Sequence, residues 1–207
     1  MSKDMKSMLK DAAILLAITL IAGLILGVVY QVTKEPIALQ EAKAKQEACQ
    51  EVFTDAAKFE TVDGFTEEAA FQVISSEYPE EDIYEVVKAV DESGESLGYV
   101  ISVTTLEGYG GVIQFSIGIR NDGTVNGISI LSIAETPGLG MNAESVLKPQ
   151  FAGKTVEKFE YTKTGATADN QVDAISGATI TTNAIVNGVN AGLSYFMTEL
   201  GGGVSHE

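Results

Sequence analysis

Residues 12–30 (AAILLAITLIAGLILGVVY) run for 19 positions without a charge. Wound as a helix at about 1.5 Å per residue, the run nearly matches the roughly 30 Å hydrocarbon core of a bilayer. A cleaved leader would have an apolar region of about 7–15 residues with small residues close behind it. Here the nearest A-x-A match, Ala42-Lys43-Ala44, lies far past the run in a charged stretch. Cys49 follows Lys45-Gln46-Glu47-Ala48, which is not a lipoprotein-like context. The run therefore reads as a retained transmembrane helix.

The remainder divides around that span. Residues 1–11 form a short tail, 12–30 the span, 31–58 a charged helical stalk, 59–200 one folded head, and 201–207 a flexible end. A chain of 207 residues leaves room for one compact domain and little more. Lys3, Lys6 and Lys10 precede the span, but Lys34, Lys43 and Lys45 soon follow it, so the positive-inside rule leans only mildly toward a cytoplasmic N-terminus. Beyond the span there are 10 basic and 27 acidic residues, a balance of −17. That argues against nucleic acid, whose phosphates need Lys and Arg.

The residue census narrows the chemistry. The one histidine, His206, sits in the C-terminal tail, which leaves no His for a buried catalytic triad or a metal cage. The one cysteine, Cys49, excludes an internal disulfide, a CxxC pair, a Cys-ligated iron–sulfur cluster and CxxCH haem attachment. Cys49 lies on the expected stalk helix with no activating partner in view, and reads as an inert thiol. Any redox cofactor must be held by other side chains.

The head reads as α+β: an antiparallel sheet with flanking helices. Thr33-Lys34-Glu35-Pro36 looks like a helix start, with Pro36 in the first turn of a stalk over residues 37–53. Residues 83–90 and 98–105 are expected strands joined through Ser93-Gly94. In residues 112–119, Ile113, Phe115, Ile117 and Ile119 share one face and Gln114, Ser116 and Gly118 the other, the pattern of a half-buried strand. Asn121-Asp122-Gly123 turns into a further strand over 125–133. A final helix spans 182–200, where Ile185, Val189, Leu193, Phe196 and Leu200 fall on one face. Thr181 or Thr182 can cap it, and the glycines from 201 end it.

Just before that helix stands Asp173-Ala174-Ile175-Ser176-Gly177-Ala178-Thr179-Ile180-Thr181-Thr182. Small residues admit a ligand close to the backbone, hydroxyls sit beside free N–H groups, and a helix N-terminus favours an anion such as phosphate. On these features alone, simple helix capping is the stronger reading. The pattern Asp-x-x-Ser/Thr-Gly-Ala-Ser/Thr, however, resembles the flavinylation motif of the FMN-binding domain family. The resemblance implies FMN joined through its phosphate to the hydroxyl of Thr179, a link that needs neither Cys nor His. It also implies a separate flavin transferase that takes FMN from FAD and reads Asp173, Ser176, Gly177 and Ala178. A second Thr-Gly-Ala-Thr, at residues 164–167, has Tyr161 in place of the aspartate and no apolar-periodic helix after it, so Thr179 is preferred to Thr167.

Upstream, Glu135-Thr136-Pro137-Gly138-Leu139-Gly140 follows an expected strand and precedes a short helical stretch over 143–151. Alone it is a tight turn with one acid and one hydroxyl. With the motif downstream and Gly108-Tyr109-Gly110-Gly111 before it, the whole chain resembles the family of G subunits of Rnf complexes. The resemblance implies a membrane-anchored, FMN-carrying electron-transfer component of a complex that couples ferredoxin:NAD oxidoreduction to sodium or proton transport. Its partners would be other membrane subunits with flavin and iron–sulfur centres, and its head would lie on the outer face of a bacterial or archaeal membrane. Backbone N–H groups of Ile180, Thr181 and Thr182 would bind the phosphate. Thr136, Gly138 and Leu139 would lie against the isoalloxazine. Tyr109 flanks the ring or is a plain core or surface tyrosine, and Glu135 holds its loop through backbone hydrogen bonds. The chain itself would bind neither NAD nor ferredoxin, since no dinucleotide fingerprint follows a strand. A span free of charge offers no ion path. The rival readings are a stand-alone extracellular flavoprotein carrier and a non-redox, membrane-anchored anion-binding module.

Overall fold

The computed structural model describes residues 3–201; Met1, Ser2, His206 and the expected tail past Gly201 lie outside it. The chain divides between Ala44 and Lys45 into two compact units. The first is helical and belongs to α1 (Lys3–Val52). The side chains of residues 12–30 are all exposed, with Leu16, Leu24 and Leu26 each more than 60% accessible. Apolar length without burial is the property of a membrane span rather than of a core helix. Thr19 does not break the apolar surface, because its hydroxyl donates back to the carbonyls of Leu15 and Leu16.

The helix start expected at Thr33–Pro36 is absent: α1 runs through Pro36 without interruption. A proline within a helix forfeits one backbone hydrogen bond, here to the carbonyl of Val32. Good helix formers on both sides carry the helix across the gap.

The second unit is an α+β fold. Its main sheet is an antiparallel meander: β1 (Lys58–Thr61), β2 (Glu81–Val90), β3 (Ser96–Thr105), β4 (Ile113–Arg120), β5 (Thr124–Ser132) and β6 (Lys154–Thr155), adjacent in chain order. A parallel pair, β7 (Glu160–Thr162) and β8 (Gln171–Asp173), stands apart. Helix α2 (Glu67–Ile74) is capped by Thr66, whose hydroxyl accepts from the Ala69 N–H at 3.3 Å. Helix α3 (Thr179–Glu199) lies against the sheet, with Ile185, Val189, Leu193 and Phe196 buried.

Strand β4 corrects the expectation of a half-buried strand. Ile113, Phe115, Ile117 and Ile119 are fully buried, but Ser116 and Gly118 on the other face are buried too. The end of α1 covers that second face. Phe53, Val52 and Cys49 join Ala89 and Val100 in a small core, and a Cβ on Gly118 would come within 2.8 Å of Val52. Burial there pushes the Cys49 thiol up to about 11, with the charge of Glu85 adding to the rise, which keeps it in the unreactive protonated form.

Small residues let α3 approach closely. A Cβ on Gly188 would stand 2.7 Å from the Phe115 ring, itself fully buried. Gly188→Ala gains helix propensity of about 1 kcal/mol but overpacks the core at a cost of about 1–3 kcal/mol. The variant is therefore expected to unfold at lower denaturant concentration than the wild type in detergent. An unchanged or higher midpoint would show that Phe115 can yield.

Candidate flavin site

Two loops and one helix end build the site. After β5, the chain turns at Thr136-Pro137-Gly138-Leu139. The Thr136 carbonyl accepts from the N–H groups of Leu139 at 3.1 Å and Met141 at 3.3 Å, and Asn142 Nδ2 donates to the Gly138 carbonyl at 2.9 Å. The helical stretch expected next is present as three short turns of 3₁₀, π and 3₁₀ geometry over residues 140–150. Glu135 is only 6% exposed, and its Oε1 accepts from the Gly110 N–H at 3.1 Å, tying the second loop to the first. The glycines of that second loop serve the same closure. A Cβ on Gly110 would fall 2.2 Å from the Ala134 carbonyl oxygen, so the two backbones pack directly together.

The helix end is built by a turn ahead of α3. The Ala174 N–H donates to the Thr162 carbonyl at 2.8 Å and the Ala178 N–H to the Ile175 carbonyl at 3.0 Å. Gly177 takes φ +75°, a conformation that β-carbon-bearing residues rarely adopt. Helix α3 begins at Thr179, three residues earlier than its apolar spacing suggests, with no side-chain cap. The capping expected of Thr181 or Thr182 is thus not found. Thr182 is buried inside the first turn, where its hydroxyl accepts from the Ile175 N–H at 3.1 Å and donates to the Ala178 carbonyl at 2.9 Å. It locks the turn from within.

The Thr182 N–H is also spent, on the Ala178 carbonyl at 3.0 Å, so it is not free for phosphate as expected. Among the described residues the free donors are one step earlier, on Thr179, Ile180 and Thr181, as the geometry of a helix start requires. Thr179 itself is half-buried, and its hydroxyl makes no hydrogen bond among the described residues.

Loops and helix end enclose a cavity of about 530 Å³, within the usual range for small-molecule sites of roughly 300–1,000 Å³. Of the residues singled out in the sequence, Tyr109, Thr136, Leu139, Gly177, Ala178, Thr179, Ile180 and Thr181 line it. Gly138, Ser176, Thr182 and Asp173 do not; they shape or flank the turns. Asp173 Oδ1 accepts from the Ala166 N–H at 2.7 Å, so it pins the neighbouring Thr164-Gly165-Ala166-Thr167 loop. Thr167 is exposed, away from the cavity, and bonded to Gln171 Oε1 through its N–H and hydroxyl.

Glu135 and Gly140 complete the lining, although the sequence pattern gives neither a part in it. Gly140 had a signal, as the second glycine of a Gly-Leu-Gly turn, but its reason is tertiary. A Cβ there would meet Thr181 Oγ1 at 2.6 Å and Glu135 Oε2 at 2.7 Å. The cavity fits FMN in chemical character. Free N–H groups and a hydroxyl at a helix start suit a phosphate, Leu139, Ile180 and Tyr109 are apolar walls, and Glu135 and Thr181 are buried polar groups facing inward.

Comparison with known proteins points to the same cofactor. Residues 108–194 match the model of the FMN-binding domain, and residues 1–52 match that of the RnfG N-terminal region. The G subunit of the Na(+)-translocating ferredoxin:NAD(+) oxidoreductase complex of Acetobacterium woodii is 35% identical over 93% of this chain and 93% of its own length. The G subunit of the ion-translocating oxidoreductase complex of Methanosarcina acetivorans is 32% identical over 96% of this chain and 99% of its own. The G subunit of the proton-translocating ferredoxin:NAD(+) oxidoreductase complex of Clostridium ljungdahlii is 29% identical, covering 97% of each chain. With cofactor fold, N-terminal region and full-length relatives in agreement, the chain belongs to the family of G subunits of Rnf-type ion-translocating oxidoreductase complexes.

Proposed function

We propose that this chain is a membrane-anchored electron-transfer component of an Rnf-type complex, carrying FMN joined through its phosphate to the Thr179 hydroxyl. The convergence of the two motifs on one cavity carries the reading. The Glu135–Gly140 turn and the Thr179 helix start are some 40 residues apart in sequence, and both line it. Thr179, Ile180 and Thr181 offer N–H groups to the phosphate, while Leu139, Thr136 and Tyr109 stand where a ring would lie. When bound, the flavin supplies reversible electron uptake.

In loading, Thr179 Oγ1 bonds to the flavin-side phosphorus of FAD as the P–O–P bridge breaks. The hydroxyl proton departs and AMP leaves, so no outside oxidant or reductant is needed. A threonine hydroxyl is a weak nucleophile without a base. Among the described residues no titratable side chain hydrogen-bonds Thr179 Oγ1, which supports loading by a separate flavin transferase. Exposed Asp173 and Ser176, outside the cavity lining, belong to the turn that such an enzyme would read.

The span at 12–30 anchors the protein, with the N-terminus cytoplasmic and the head on the outer face. Lys3, Lys6 and Lys10 before the span support that orientation. Covalent attachment there keeps the cofactor from loss by dilution. The partners are other membrane subunits bearing flavin and iron–sulfur centres.

Intact mass of the detergent-solubilised chain, produced with a flavin transferase, tests the reading. The expected mass is that of the chain plus FMN less one water, and a tagged chain is expected to bring other membrane subunits with it. A mass without flavin would overturn the attachment. A loaded chain that always purifies alone would overturn the complex and favour a stand-alone carrier.

A further inference from the structure

Two polar atoms on the inner wall of the cavity lack protein partners. Glu135 is 6% exposed, and while its Oε1 is used by Gly110, its Oε2 accepts no hydrogen bond among the described residues. Thr181 is 1% exposed, and its hydroxyl is likewise unpartnered. Both atoms lie within 2.7 Å of the point that a Cβ on Gly140 would occupy, and both residues line the cavity. The two residues are largely buried but both line the cavity, so a carboxylate oxygen and a hydroxyl without protein partners stand side by side where a ligand in that cavity can complete them.

We propose that Glu135 is an electrostatic positioning residue of this pocket: its Oε2, beside the Thr181 hydroxyl, receives a hydrogen-bond donor of the flavin, and its carboxylate opposes electron uptake by the ring. The inference rests on the assignment of the pocket to FMN. The donors that flavin offers are the ring imide N–H and the ribityl hydroxyls. The imide belongs to the ring that gains negative charge on reduction, and the ribityl hydroxyls are tethered to that ring, so either contact brings the carboxylate toward it. A like charge held at short range raises the energy of the reduced form and lowers the potential. The division of labour within one side chain is specific. Oε1 closes the two loops, and Oε2 faces the ligand.

Glu135→Gln separates these roles. Its amide oxygen still accepts from Gly110, so a residue that only held the loop would leave the potential where it is. Full-length wild type and variant, expressed with a flavin transferase and purified in detergent, are compared by intact mass and by spectroelectrochemical titration. The expected result is equal flavin loading and a midpoint potential displaced upward in the variant. A change in the visible flavin bands together with that displacement assigns the donor to the ring imide. Displacement with unchanged bands assigns it to a ribityl hydroxyl. If the glutamine variant takes up no flavin, Thr181→Val is read instead, since it removes the second polar atom and leaves the Glu135–Gly110 bond intact; an altered potential or spectrum is expected. A loaded variant with the wild-type potential overturns the proposal. Wild type without flavin fails the pocket assignment itself, which keeps the two failures distinct.

Discussion

Thr179→Val is expected to abolish covalent flavin completely, while Thr167→Val leaves it at the wild-type level. Valine matches threonine in shape and branching, so the half-buried position and the helix start are preserved and only the hydroxyl is lost. No other hydroxyl takes its place. Thr181 is buried on the inner wall, and Thr182 is committed at both ends, to the Ile175 N–H and the Ala178 carbonyl. Thr167 lies on an exposed loop outside the cavity with its hydroxyl bonded to Gln171. The measurement is flavin fluorescence in a denaturing gel, with intact mass beside it. Thr179→Ser, which keeps a hydroxyl, should retain the band. A fluorescent band surviving in Thr179→Val would move the attachment elsewhere.

Glu81→Gln is expected to stabilise the fold at neutral and alkaline pH and to flatten its pH dependence. Glu81 is 2% exposed at the start of β2. Its Oε1 accepts from Thr105 Oγ1 at 2.9 Å, and its Oε2 has no partner among the described residues. Burial pushes its carboxyl up to about 9. The Thr105 hydrogen bond pulls the other way, and the nearby charges of Glu107 and Glu80 add to the rise. Between the unfolded value of 4.5 and that raised value, the folded chain holds a proton that the unfolded chain has released. Stability must then fall as pH rises, by about 1.4 kcal/mol per unit from this group, or about 3 kcal/mol by pH 7. Glutamine is neutral throughout, so denaturant unfolding at pH 8 should show a gain of about 2–4 kcal/mol after allowing for its buried amide donor. Parallel pH profiles for the two proteins would show that Glu81 ionises in the fold.

The local periodicities were largely legible. The expected strands at 83–90, 98–105, 112–119 and 125–133 fall within two residues of β2 to β5, because alternation along a strand is a property of neighbouring positions. The errors lie where distant segments meet. The polar-looking face of β4 is buried because the end of α1, over 60 residues upstream, covers it. Glu81 fell outside the expected strand because an acid extends no apolar pattern. Its burial follows from pairing with Thr105 across the sheet. Helix α3 begins early because its first turn is fastened from inside by Thr182, not capped from outside.

The site divides along the same line. Its chemistry is local: a span without charge, one cysteine, one histidine, and a threonine placed by short motifs at the start of an amphipathic helix. Composition is carried by the chain itself, so it excluded cofactors held by Cys or His before any fold was known, and the resemblance of one short motif proposed Thr179 as the attachment point. The pocket is not local. That Glu135 holds Gly110 with one oxygen and turns the other toward Thr181, and that Gly140 must lack a Cβ between them, depends on three segments brought into contact by the meander and α3. Contacts between segments this far apart leave no mark in the spacing of either one. They arise only when burial of the common core sets the loops and the helix end against each other.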